Sequence, residues 1–202
     1  MIYFVKRFFV WLRRARYSRG FGVQSPWAYR FIRYVVNEHY PYYKYEQLAE
    51  QVYAIDKITR KLCRFYFRLA NYQQAHTFID CFPTSSCYKI YVSAGCRKTI
   101  YRQVTESISE EELVRLFSSI GENSMVRVSL VSNYSTVIDK ALDHLPPSCV
   151  LIIENIKRDN EVQKYWSGLI SDLRTGVSFD LYYCGVLFLR TDMVKQSYIV
   201  NF

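Results

Sequence analysis

From residue 76 onward the chain alternates short apolar runs with pieces of helical periodicity, and this alternation limits the fold more than any other feature. Strands are expected at 76–82, 97–103, 125–131, 148–154, 177–183, 185–190 and 197–202, with helices between them at 84–94, 109–119, 134–144 and 159–173. In the last helix Val162, Tyr165, Trp166, Leu169, Ile170 and Leu173 recur at helical spacing, so one face is apolar. "PPSCVLIIENI" is an unbroken apolar run that ends in an acid, the pattern of a strand buried on both faces. Strands alternating with helices predict an α/β protein whose mostly parallel sheet is covered on both sides by right-handed crossovers. Gly185 is expected to break "VSFDLYYCGVLFLR" into two strand pieces joined by a short turn, and "QSYIVNF" closes the chain.

The first 74 residues read differently. Residues 2–17 form a helix with Phe4, Phe8, Trp11 and Leu12 on one stripe and Lys6, Arg13 and Arg14 off it. Packing on its own body or on a twin subunit is the preferred reading, with an anionic membrane surface as the alternative. Ser25 then caps a helix that starts at Pro26 and runs to Val36. A tyrosine-rich connector broken by Pro41 leads to a long helix over 55–74, whose buried face carries Leu62, Phe65, Leu69 and Tyr72. The expected division is therefore a helical segment, 1–74, packed on an α/β body, 75–202, the two folding as one unit.

Charge and composition bound the function. The 202 residues are half apolar and carry a net charge of +9. Residues 1–36 contain Lys6, Arg7, Arg13, Arg14, Arg16, Arg19, Arg30 and Arg33 and no acid, so anionic partners are expected at that end. The six cysteines are scattered without a CxxC pair and the three histidines stand apart, so the thiols are expected to be reduced core residues and no metal is expected. Lys6-Arg7 and Arg13-Arg14 interrupt any leader-like run, and no apolar stretch is long enough to span a bilayer. The expected location is cytoplasmic, with residues 1–17 able to hold the protein at a membrane surface. No finger, homeodomain or RNP pattern supports a nucleic-acid module. Exposed aromatics near the N-terminus make a homodimer an expected alternative state.

Parallel sheets bind ligands beyond the carboxyl ends of their strands, so three strand ends matter. In "HTFIDCFPTSSCYKIYVSAG", Asp80 ends a strand and Thr84, Ser85 and Ser86 can cap the following helix. Phe82 and Pro83 occupy the bend, where a nucleotide turn needs bare backbone with donating amides. On the residues alone, an ordinary strand–turn–helix is preferred. In "LIIENIKRD", Glu154 and Asn155 can act as base or cation ligands, but an acid before a helix capped by Asp159 is the preferred reading. In "VSLVSNYST", Ser132, Asn133 and Ser135 follow a strand without an acid.

Taken together, these segments resemble class I S-adenosylmethionine-dependent methyltransferases, and more narrowly a small bacterial methyltransferase-like family. "RGFGVQSPWAYRFI" is similar to that family's Arg-His-Gly-Val-His-Ser-Pro-Phe signature. "KLCRFYFRLANYQQAHTFIDC" is similar to its helix leading into the first strand. The run from Cys149 to Arg190 resembles its fifth-strand region and long C-terminal stretch. The resemblance implies a Rossmann-like, mostly parallel methyltransferase-type sheet with antiparallel C-terminal strands and a helical N-terminal extension. It implies S-adenosylmethionine as cofactor, held by Asp80, Thr84 and Ser85, with Glu154 and Asn155 flanking an unidentified small-molecule acceptor. Several positions depart from the family pattern. Phe82 and Ser86 stand where its glycines belong, Arg102 stands near the place of its ribose-binding acid, and Asn133 replaces an Asp. Phe21 and Gln24 replace its two histidines, and 97–131 is short. The expectation is a degenerate methyltransferase-like protein, weakly or not catalytic. The alternatives are an active small-molecule O-methyltransferase and a non-enzymatic adaptor working through the basic N-terminal helix at a membrane surface or nucleic acid.

Overall fold

The structure, a computed structural model, describes all residues except 1, 21, 39, 41, 43, 53, 54 and 132, and only the backbone of 2–4, 6, 7, 18 and 19. The expectations placed on Phe21, Pro41 and Ser132, and on the side chains of Phe4, Lys6, Arg7 and Arg19, lie outside the described residues.

A seven-stranded sheet carries the fold, with strand order β2-β1-β3-β4-β6-β5-β7. Its strands are β1 (Thr77–Cys81), β2 (Ile100–Val104), β3 (Met125–Val128), β4 (Val150–Glu154), β5 (Val177–Asp180), β6 (Cys184–Phe188) and β7 (Gln196–Ile199). Strands β1 to β4 pair in parallel. β6 runs antiparallel to both β4 and β5, and β7 pairs in parallel with β5.

Period-two alternation sends each strand's side chains to two separate cores. Phe78, Met125, Val150 and Ile152 face one core, closed by α2 (Pro26–Phe31), α3 (Lys44–Glu50), α4 (Lys57–Gln73) and α5 (Cys87–Gly95). Ile79, Val126, Leu151 and Ile153 face the other, closed by α6 (Glu110–Ser118), α7 (Tyr134–His144) and α8 (Asn160–Ser171). Ala28, Phe31, Phe65 and Leu69 from the first 74 residues share a core with Phe78 and Phe179 of the body.

Local chemistry sets most helix ends. Ser25 accepts a hydrogen bond from the Ala28 amide at 3.3 Å, with Pro26 as first helical residue. Asp159 caps α8 through the Val162 amide at 2.8 Å, and Ser109 with Glu112 forms a reciprocal capping box on α6. The helix expected to reach Val36 does so, but over Ile32–Val36 it widens to π geometry. Its terminal carbonyls, Val35 and Val36, accept from the buried Arg68 at 2.6 and 3.1 Å. The connector read as irregular contains the short helix α3, which propensity alone could not separate from a tyrosine-rich loop.

Two glycines make room for close packing, and one of them was expected to be a turn. Gly185 lies inside β6, opposite Ile153, and is not the hairpin turn. A Cβ there would meet the Trp166 ring at 2.4 Å, so the missing side chain makes room for the indole. The turn itself is at Tyr182, with φ +74°. Gly95 ends α5 where a Cβ would stand 2.2 Å from the Phe67 carbonyl oxygen on α4, so it permits close helix–helix contact.

α1 (Ile2–Arg14) does not bury its apolar stripe. Phe8, Trp11 and Leu12 are each more than half exposed, which corrects the expectation that the stripe packs on the protein's own body. The helix is tethered at its end instead. Arg14 reaches the Asp180 carboxylate at 2.8 Å and the Val200 carbonyl at 3.2 Å, and lies over the Tyr182 ring. Burial would raise the Asp180 carboxyl, but Arg14 and Lys157 outweigh burial and hold it below its ordinary value. Among the described residues, no helix is long and apolar enough to cross a membrane.

Candidate functional site

The chain leaves β1 toward β2 on one side, then returns to place β3 on the other side of β1. The gap between the carboxyl ends of β1 and β3 is therefore the topological switch point, where an open α/β sheet takes its ligand. On the face closed by α4 and α5, the last inward positions of the central strands are Asp80, Arg127 and Glu154. Register puts Asp80 directly opposite Arg127, and Glu154 two residues beyond Arg127's other neighbour, Ile152.

These three side chains are joined in one cluster. The Arg127 guanidinium forks onto Glu154, with Nε to Oε1 at 2.9 Å and Nη2 to Oε2 at 2.5 Å. Its Nη1 donates to Asp80 Oδ1 at 2.6 Å and to the Phe82 carbonyl at 3.2 Å, and Nη2 also donates to Thr84 Oγ1 at 2.6 Å. The Tyr66 hydroxyl donates to Glu154 and the Tyr101 hydroxyl to Asp80. Tyr88 lies against the guanidinium face, 4.7 Å from its centre. Asp80 and Arg127 are 0% exposed and Glu154 is 3% exposed.

Electrostatics holds the arginine in place. Burial by itself disfavours its charge, but the hydrogen-bonded Glu154 carboxylate outweighs burial and keeps Arg127 a firm cation. Burial raises the Asp80 carboxyl above its ordinary value, against the opposing pull of Arg127. Burial likewise raises the Tyr66 hydroxyl well above its usual range, helped by the adjacent Glu154 charge, so it remains a donor.

The sequence-expected site residues are thus only partly brought together. Asp80, Thr84 and Glu154 converge, but on an arginine that the sequence reading did not single out. Ser85 is half-buried and accepts from the Cys87 amide at 3.3 Å, a helix-start role. Asn155 is exposed, with φ +59°, and stands apart from the buried Glu154. Arg102 projects from the edge strand β2, exposed and opposite Ile79, so it does not bring charge to this place. The positive charge at the switch point comes from Arg127.

The bend after Asp80 keeps a glycine-like path without glycine. Phe82 adopts φ +59°, and its amide donates to the Val104 carbonyl at 2.8 Å. Its ring is buried in the core closed by α6 to α8, away from Arg127's face of the sheet. A left-handed conformation costs an aromatic residue about 1–2 kcal/mol, and burying the ring returns a similar amount. The turn backbone therefore persists, and its carbonyl serves Arg127.

Comparison with solved structures identifies the architecture. An O-methyltransferase from Bacillus cereus, solved in complex with SAH, matches 77% of this chain and 95% of its own, with 11% identity and a TM-score of 0.51. The chain has the class I methyltransferase fold. Weaker likenesses are to the SAH-bound Podospora anserina methyltransferase PaMTH1, with 13% identity over 71% of this chain and 84% of that one and a TM-score of 0.47. Another is to the MycE methyltransferase of the mycinamycin biosynthetic pathway, complexed with Mg and SAH, at 11% identity over 71% of this chain and a TM-score of 0.48; the match spans only 48% of MycE. No protein-family model and no curated protein matches the chain.

S-adenosylmethionine is the cofactor expected from the sequence resemblance. In the arrangement described, the floor of the switch point holds a guanidinium instead of free backbone amides. Glu154 already accepts three hydrogen bonds, two from Arg127 and one from Tyr66, so three of the roughly four lone-pair directions of its carboxylate are occupied. Among the described residues, no group of three or more His, Cys, Asp or Glu is placed to hold a metal ion.

Proposed function

We propose that this protein keeps the methyltransferase fold as a binding or scaffold module and is weakly or not catalytic. The observation that carries this reading is the Arg127 guanidinium bonded to both acids at the switch point. A nucleoside seated there would have to draw Arg127 away from two buried carboxylates. Separating a buried pair costs about 3–5 kcal/mol, and a ligand that must pay this loses the same amount of affinity. Isothermal calorimetry with S-adenosylmethionine tests the reading. No saturable heat is expected at millimolar cofactor, and micromolar binding would contradict it and favour the active O-methyltransferase alternative.

A second reading rests on α1. Val5, Phe8, Phe9, Trp11 and Leu12 are all more than half exposed, beside exposed Arg13 and Arg16 in a segment without acids. Aromatic and aliphatic side chains flanked by arginines suit the interface of an anionic bilayer. Co-sedimentation with vesicles containing phosphatidylglycerol is expected to fall severalfold for Phe8→Ser/Trp11→Ser, since each buried large side chain contributes about 1.5–3 kcal/mol. Unchanged binding would contradict this. A dimer lost in the same variant, with no vesicle binding by either protein, would assign the face to a second copy of the chain.

A further inference from the structure

We propose that the groove beside the N-terminal half of α4 binds a phosphate-bearing anion. This site is separate from the switch point and does not depend on the reading given for it. Lys57, Arg60, Lys61, Arg64 and Arg68 recur at spacings of three and four, so they share one face of α4. They line a groove of about 310 Å³ next to the end of the π segment. Like charges four residues apart weaken a helix, and the contacts of Lys61 with the Phe202 ring and of Arg64 with the Tyr45 ring offset only part of that repulsion.

Two further observations point to an anion. Arg68 is 7% exposed, and its guanidinium donates only to neutral acceptors: the Val35 and Val36 carbonyls and, at 3.2 Å, the Tyr45 hydroxyl. Among the described residues no carboxylate lies within ion-pair distance of it, whereas the other buried arginine, Arg127, has two. A buried cation without a counter-ion is costly, and a bound anion would remove that cost. Asn37 also lines the groove, and its side-chain amide nitrogen is buried without a hydrogen-bond acceptor among the described residues. One acid, Glu38, is also among the lining residues. Beside the apolar Val36 and Phe202, the lining offers five basic side chains, three of them guanidinium forks, which match phosphate oxygens.

The phosphate can belong to a soluble compound or to a lipid headgroup. Calorimetry of the full chain with inorganic pyrophosphate at low salt is expected to give single-site binding that weakens as salt rises. Arg60 and Arg64 are exposed, so Arg60→Ala/Arg64→Ala leaves the core intact. This variant is expected to lose affinity about tenfold or more, as for lost charge-assisted bonds. Asn37→Ala is expected to weaken binding as well, while Arg115→Ala on α6 leaves it unchanged. A vesicle arm in a Phe8→Ser/Trp11→Ser background, which removes any contribution of α1, separates the sources. Phosphatidylglycerol binding that needs Arg60 and Arg64 names a headgroup; pyrophosphate binding alone names a soluble phosphate. The proposal is overturned if pyrophosphate gives no heat at millimolar concentration, or if Arg60→Ala/Arg64→Ala binds as the parent does.

Discussion

Arg127→Met lowers the unfolding free energy by about 3–5 kcal/mol, because it leaves Asp80 and Glu154 buried without their cation. The methionine fills much of the same volume, so little of the loss comes from a cavity. The effect is electrostatic, and neutralising the acids should therefore rescue it. Asp80→Asn/Arg127→Met/Glu154→Gln keeps acceptors for the Tyr66 and Tyr101 hydroxyls while removing both uncompensated charges. It recovers most of the loss, since replacing a buried ion cluster as a whole is often close to neutral. Urea unfolding of the parent, the single and the triple variant measures this, with the slope of the transition held constant. A single variant within about 1 kcal/mol of the parent would mean that the cluster is not a closed ion network.

The second large effect is expected at the contact between α4 and α5. Gly95→Ala puts a methyl group 2.2 Å from the Phe67 carbonyl oxygen and about 3.0 Å from its Cα. The atoms it meets are backbone inside a buried helix, so no rotamer change relieves the clash. The helices must separate, opening the packing around Leu69, Ala70 and Tyr91, all 0% exposed. The expected cost is about 3 kcal/mol, at the upper end for overpacking, even though alanine is the better helix former. Gly168→Ala on α8, where a Cβ meets nothing within 4 Å, is the matched control and is expected to be neutral or slightly stabilising. Thermal melts of the two variants decide the matter; equal midpoints would show that Gly95 has no packing role.

The sheet and its covering helices were legible from periodicity, because buried parallel strands and amphipathic helices leave different spacings. The strand-end acids Asp80 and Glu154 were legible for the same reason. Arg127 was not. It sits in the middle of "MVRV", where the apolar neighbours read as a buried strand and the charge reads as an interruption. Its meaning depends on register, which aligns it with Asp80, and parallel register is not written in one strand. The usable signal was a basic residue inside a buried run, in a chain where β1, β4 and β5 carry acids at or next to their ends. Arg102 misled for a related reason. It lies one residue from Tyr101, and that single step puts it on the opposite face of β2. The helix α1 was legible from its periodicity, but an apolar stripe does not say what covers it. Gly185 was visible as a break, yet the cause was the ring of Trp166, 19 residues earlier in sequence and in contact only after folding.

An internal arginine, bonded to Asp80 and Glu154, fills the switch point of this fold. Crystals grown with millimolar SAH test it most directly. The Arg127 guanidinium is expected between Asp80 and Glu154, with no nucleoside density over the turn at Phe82. SAH lodged against that turn, with Arg127 swung out of the cluster, would contradict it.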